Sequence, residues 1–195
     1  MVEKKRLHRM KTDFDIDKII EKGAITNELD YDRALIADKR LRLLAKENMH
    51  FKKLRSKLRD IIEEYENREW NDVENIDENK IEESEKSEQV AELERLFIEN
   101  RKQKIRTKIK ELDLTQENLG LILGHRSKTH MSELMNGIKP FTLKDLIIIN
   151  RLLKIEINFL IPKFLSQEDQ TRVKQAVIKL DKPKIKLSSN DLAFC

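Results

Sequence analysis

Between residues 51 and 65 the apolar positions Phe51, Leu54, Leu58, Ile61, Ile62 and Tyr65 recur at three- and four-residue steps. Lys52, Lys53, Arg55, Lys57 and Arg59 fill the opposite face. That spacing predicts an amphipathic helix. Upstream, Tyr31, Ala34, Leu35, Leu41, Leu44 and Ala45 predict another helix from Tyr31 to about Lys46. The polar break at Asn48 and His50 turns the two into an antiparallel hairpin. Residues 1–24 show little periodicity beyond the cluster Phe14, Ile16, Ile19 and Ile20.

The pattern changes around Trp70. Residues 71–86 are polar, acidic and poor in helical apolar spacing, and they read as a linker. A further helix is expected from near Ser84 or Ser87 to about Leu112, with Leu93, Phe97, Ile105, Ile109 and Leu112 on one side. The polar stretch from Glu99 to Lys104 leaves its continuity open. A last helix follows, with Ser166 as N-cap and Val173, Ala176, Val177 and Leu180 on one face. Pro183 closes it, and the remainder to Cys195 is expected to be a tail.

Between Leu114 and Pro162 the punctuation is denser. Thr115 can cap a helix opening with Gln116, Glu117 and Asn118, and Gly124 can end it in the left-handed conformation. His125 to Thr129 form the turn and the start of a second helix that ends at Asn136-Gly137. Pro140 and Thr142 open a third, where Thr142 and Asp145 make a variant capping box. Leu119, Leu123, Met131, Leu134, Leu146, Ile149, Leu153 and Ile155 can close one small core. Gly120 lies inside the first of these helices, where glycine costs about 1 kcal/mol relative to alanine. Its place between Leu119 and Leu123, on the apolar side, marks a point where the second helix crosses the first.

The string Leu114-Thr115-Gln116-Glu117-Asn118-Leu119-Gly120, with Leu123-Gly124 and Met131-Ser132-Glu133-Leu134-Met135-Asn136-Gly137, resembles the lambda-repressor-like (XRE-type) helix-turn-helix family. Pro140-Phe141-Thr142-Leu143 and Leu153-Lys154-Ile155 continue the resemblance. The N-terminal half, through Leu29-Asp30-Tyr31-Asp32-Arg33-Ala34-Leu35 and Leu58-Arg59-Asp60-Ile61-Ile62-Glu63-Glu64-Tyr65-Glu66, is similar to the helical N-terminal region of HigA-type antitoxins. From Gly124 to Met131 the chain runs somewhat longer than the family pattern.

The resemblance implies an all-α protein: an N-terminal helical hairpin region joined by an acidic linker to a five-helix lambda-repressor-like helix-turn-helix domain. The division is a helical region over 1–70, serving toxin binding or dimerisation, a linker over 71–86, the helix-turn-helix domain with its C-terminal helix over 87–181, and a tail over 182–195. The helix from about Ser127 to Asn136 would then lie in the major groove while the Thr115 helix crosses the backbone. Gln116 would bind phosphate at a helix N-terminus. Arg126, Ser127, Lys128, Thr129 and His130 would open the recognition helix, with Ser132 and Glu133 one turn on. A cationic side chain there can pair with guanine, and Glu133 can accept from cytosine. Lys139 would hold a phosphate and fix register.

Composition sharpens this picture. Of 195 residues, 39% are charged and only four are glycine and three proline, which suits solvated helices. The net charge of +4 hides an asymmetry. Basic and acidic residues number 17 and 14 over 1–67, 3 and 11 over 68–94, and 20 and 11 over 95–195. The cationic C-terminal half suits a polyanion, because neutralised phosphates release condensed counterions. Cys195 is the single cysteine, which fits a reducing cytosol, and the resemblance implies the bacterial cytoplasm. No apolar run suggests a membrane span. His125 and His130 lie five residues apart with no cysteine nearby, unlike a zinc site. No nucleophile–base pair, phosphate-cradling glycine loop or carboxylate constellation points to an enzyme, and no cofactor is expected.

The function implied is that of an antitoxin in a type II toxin–antitoxin pair, which neutralises a HigB-like mRNA-cleaving toxin and represses its own operator as a homodimer. The acidic span 68–94 and the helices over 31–67 are candidates for the toxin-facing surface, although the acidic span also reads as a solvated linker. The dimer interface falls either on Leu153 to Leu180 or on the N-terminal helices. The alternatives are a stand-alone XRE-type repressor and an interaction module that has lost DNA binding.

Overall fold

A 34-residue helix, Glu78–Glu111, runs through the computed structural model, packing against the N-terminal helices and entering one hydrophobic core with its last turns. The structure describes residues 15–46, 48–71, 77–163, 167–182, 184, 185 and 187. Among them the chain is all-α, with eight α-helices, one short 3-10 helix and no strand. The helices are α1 (Ile16–Lys22), α2 (Glu28–Leu44), α3 (Met49–Glu69), α4 (Glu78–Glu111), α5 (Gln116–Leu123), α6 (Lys128–Met135), α7 (Leu143–Leu153) and α8 (Gln167–Leu180). The 3-10 turn spans Ile157–Phe159.

The first core lies in the N-terminal bundle. Ile16 and Ile19 of α1, Ile25, Ala34, Ala37 and Leu41 of α2, and the apolar stripe of α3 are buried together. Every α3 position expected on that stripe is buried. Tyr31 and Tyr65 stack with ring centroids 5.0 Å apart, and Tyr65 donates to the buried Glu28 carboxylate at 2.8 Å. The first half of α4 packs along α2 and buries Ala91. Arg33 of α2 pairs with Glu94 of α4.

The helical part of the acidic span is longer than expected. α4 starts at Glu78, capped by the Asp77 carboxylate, rather than at Ser84 or Ser87. Residues 78–86 are therefore helix, and residues 72–76 lie outside the described residues. Packing against α2 and short-range pairs such as Lys86–Glu82, 2.7 Å apart, sustain a helix that carries little apolar periodicity of its own.

α4 also runs unbroken through Glu99 to Lys104. Arg101 is 3% exposed, with its guanidinium between the rings of Phe97 and Phe141 and donating to the Leu160 carbonyl. The helix tolerates this polar stretch because Arg101 is held between aromatic rings and the largely covered Lys102 is paired with Glu99. The second half of α4 then contributes Ile105 and Ile109 to the second core. Leu93 and Leu112, expected on the same side, remain exposed.

That second core contains all eight residues expected from the pattern: Leu119, Leu123, Met131, Leu134, Leu146, Ile149, Leu153 and Ile155. Their capping signals act as expected. Thr115 and Asn118 form a reciprocal box at the start of α5, and Thr142 and Asp145 do the same for α7. Ile138, between α6 and α7, is fully buried yet belongs to the first core. No described helix is long and apolar enough to cross a membrane. Phe14, Ser166, Pro183 and Cys195 lie outside the described residues.

Candidate nucleic-acid interface

α5, a short turn and α6 form the segment in which the sequence concentrates its candidate contacts. Gly124 ends α5 at φ 86, and the Gly124 and His125 amides return to carbonyls of its last turn. Ser127 then caps α6 by accepting from the His130 N–H at 3.2 Å. The turn is tight because Gly120 carries no side chain. A Cβ there would lie 3.2 Å from the His125 carbonyl oxygen and 3.5 Å from Met131 Cγ. The close approach expected at Gly120 is thus made by the turn and by the first residues of α6.

Arg126, Ser127 and Lys128 stand exposed at the start of α6. Lys128 reaches back to Glu117 of α5 at 2.7 Å, with both side chains more than half exposed, so the pair is weakly held and free to exchange. Gln116 is half-buried at the first position of α5. Thr129, His130 and Ser132 are half-buried. Ser132 receives the Asn136 side-chain amide on its carbonyl at 2.8 Å, which closes the end of α6.

Two candidates differ from the outward placement expected of DNA contacts. Glu133 is 3% exposed and its carboxylate meets three groups: His50 Nε2 at 2.8 Å, His130 Nδ1 at 3.2 Å and Lys139 Nζ at 3.3 Å. Lys139 also pairs with Asp17 of α1 at 2.8 Å. Burial lowers the Lys139 pKa, but the Asp17 hydrogen bond and the two facing carboxylates outweigh it and leave the ammonium above its ordinary value. A buried carboxylate needs such partners, and α6 supplies only one of them. The other two arrive from α3 and the segment after α6, and α1 holds the second of these through Asp17.

Thr129 is likewise engaged from outside its own helix, its hydroxyl accepting from Asn48 Nδ2 at 3.1 Å. His125 contacts the buried Asp145 at 3.1 Å and stands edge-on to His130 at 4.9 Å. Among the described residues no three His, Cys, Asp or Glu side chains are arranged to hold a metal ion. Sequence reasoning missed His50 and Asn48 as neighbours of α6 and Asp17 as the partner of Lys139. No local signal carries such long-range pairing.

A second surface lies between α2 and α4. A groove of about 380 Å³ is lined by Asp32, Lys39, Glu85, Glu88 and Glu92. Asp32 has one buried carboxylate oxygen without a hydrogen-bond partner among the described residues. Burial, then the charges of Glu28 and Glu88, raise its pKa to about 6. At the far end, α8 buries none of its described side chains, and Ile178 and Leu180 are 77% and 56% exposed.

Comparison of the chain with protein-family models, curated proteins and solved structures gave no match.

Proposed function

We propose that the chain is a DNA-binding antitoxin: α5 and α6 act as a helix-turn-helix on its own operator, and the N-terminal bundle receives a HigB-like toxin. One observation carries the DNA reading. The side-chain-free approach at Gly120 and the left-handed stop at Gly124 set α6 so that Arg126, Ser127 and Lys128 project from its N-terminal end. That end also carries the positive pole of the helix dipole. Arg126 and Lys128 contact phosphate or guanine, while Thr129, His130 and Ser132 flank them. Glu133 and Lys139 serve this interface indirectly, as a buried carboxylate and a half-buried ammonium that hold α6 and the segment after it against α3 and α1.

The toxin reading is supported by the acidic groove between α2 and α4, since a basic ribonuclease is drawn to a carboxylate-lined surface. The exposed apolar residues of α8 are the candidate homodimer contact. No catalytic role is proposed, and the site of action is the bacterial cytoplasm. Burial of Glu133 favours a second reading, an interaction module whose α6 no longer reads bases, over a stand-alone repressor that does.

A gel shift on the DNA immediately upstream of the reading frame separates these readings. The parent protein binds, and R126A/K128A loses about tenfold or more in affinity, with a log–log salt slope lower by up to about 2. A parent protein that leaves this duplex unshifted would sink the DNA reading. For the toxin, E85K/E88K abolishes co-purification with the product of the neighbouring gene. Full retention would remove the groove from the proposal.

A further inference from the structure

α3 meets α6 through one of its sides. Asn48 caps α3 by accepting from the His50 N–H, and its amide donates to Thr129 of α6. Two residues on, His50 lies 2.8 Å from Glu133. Position 50 therefore marks the side of α3 turned toward α6. On a helix that side continues at three, four and seven residues further along, which here are Lys53, Leu54 and Lys57. Leu54 is buried in the bundle core, whereas Lys53 and Lys57 are exposed. At 1.5 Å per residue they stand about 4.5 and about 10.5 Å along the axis from His50. Lys46 is exposed in the turn just before Asn48.

These three lysines have no ion pair with any described residue. Arg55, on another side of the helix, is held by Asp38 at 2.8 Å. The stripe ends at the exposed Asp60, the next acidic residue on that side. Lys53 and Lys57 thus lie on the side of α3 that meets α6, with Lys46 just before it, and none of the three is ion-paired with a described residue.

We infer that Lys46, Lys53 and Lys57 form a second phosphate-binding surface, which grips the same DNA duplex beside α6. The inference rests on the DNA-binding reading above. It assigns the α2–α3 end of the N-terminal bundle to nucleic acid and leaves the acidic α2–α4 groove, on another surface, to a protein partner. A duplex offers a closely spaced row of phosphates, so cations flanking the helix that enters its groove add affinity without adding sequence preference.

The test is fluorescence anisotropy on the full chain across a salt series. One labelled duplex carries the upstream DNA and another a mixed sequence. K53Q/K57Q weakens binding to both by about tenfold and lowers the log–log salt slope by up to about 2. K86Q, which removes an exposed lysine of α4 already paired with Glu82, changes neither. If K53Q/K57Q matches the parent while R126A/K128A loses affinity, the stripe is wrong and the DNA reading stands. An equal loss in K86Q would reduce the effect to long-range charge and also overturn the inference. Tighter binding by N48A would mean that the bundle covers the end of α6, which overturns it as well. A parent protein that binds neither duplex ends both this inference and the reading beneath it.

Discussion

His50 Nε2 and Glu133 Oε1 lie 2.8 Å apart although 83 residues separate them in the chain. The contact closes a cluster in which one buried carboxylate is shared by two histidines and a lysine, drawing α3, α6 and the segment after α6 together. Removing the carboxylate opens a buried gap and breaks all three contacts, although Lys139 keeps Asp17. E133A is expected to lose about 2–3 kcal/mol in urea unfolding, and E133Q, which keeps an acceptor, about half of that. H50A alone costs about 1 kcal/mol or less, because the imidazole is half exposed and screened. In an E133A background H50A costs much less, the coupling expected of residues in contact. An E133A protein as stable as the parent would show that the cluster carries no net energy.

Two glycines answer differently to substitution. Gly137 has φ +65, and a Cβ there would lie 2.7 and 2.9 Å from Cγ2 and Cδ1 of Ile98. G137A therefore adds left-handed strain, about 1–2 kcal/mol, to a contact in which a stiff, branched side chain must move. Thermal unfolding should show a loss of several degrees. At Gly120 the backbone is helical and the nearest atom is a carbonyl oxygen at 3.2 Å, so the helix propensity gained by alanine, about 1 kcal/mol, offsets the crowding. G120A is expected near neutral. G120V, whose methyl groups must enter the α5–α6 crossing, lowers both stability and DNA affinity. A fully stable G120V would mean that the crossing has room to spare.

Legibility in the sequence followed the range of each interaction. The boxes at Thr115–Asn118 and Thr142–Asp145, the stop at Gly124 and the second core were readable because their determinants lie within a few residues or repeat at helical period. The start of α4 was not readable, since residues 78–86 are helical through packing on α2 and pairs such as Lys86–Glu82. Glu133 and Lys139 looked like surface charges because charge alone says nothing of partners. Theirs come from His50 and Asp17, more than eighty residues away in the chain. Ile138 gives no hint that it belongs to the core of the other bundle.

Asp32 links stability to pH. Its pKa, raised to about 6 by burial and by Glu28 and Glu88, lies above that of an unfolded aspartate. The folded state therefore favours the protonated carboxyl. The penalty for ionisation is absent below about pH 4, grows between about pH 4 and 6, and is complete above that. D32N, which stays neutral, should be more stable than the parent at pH 7, by about 1 kcal/mol once screening of this partly exposed group is allowed for. Near pH 4 the difference should vanish. Melting curves at the two pH values test this, and a gap that widens on acidification would contradict it.

Because α4 packs along α2 and also supplies Ile105 and Ile109 to the second core, neither half is expected to unfold alone. Its 34 residues span about 51 Å, with Ala91 buried near α2 and Ile105 and Ile109 buried in the second core. Ile138 crosses the other way, from the segment after α6 into the bundle, and Glu133 and Lys139 take partners from α1 and α3. A fragment starting at residue 95 would expose Ile138 and leave Glu133 without His50. Far-UV circular dichroism should show one cooperative transition for the full chain. The fragment should melt at a clearly lower temperature and bind a hydrophobic dye before it melts. Loss of toxin binding by such a fragment would therefore report damage to α6 as well as absence of the bundle, which makes surface substitutions such as E85K/E88K the cleaner probe. Two separated transitions in the full chain, or a fragment as stable as the whole, would show that α4 does not couple the cores.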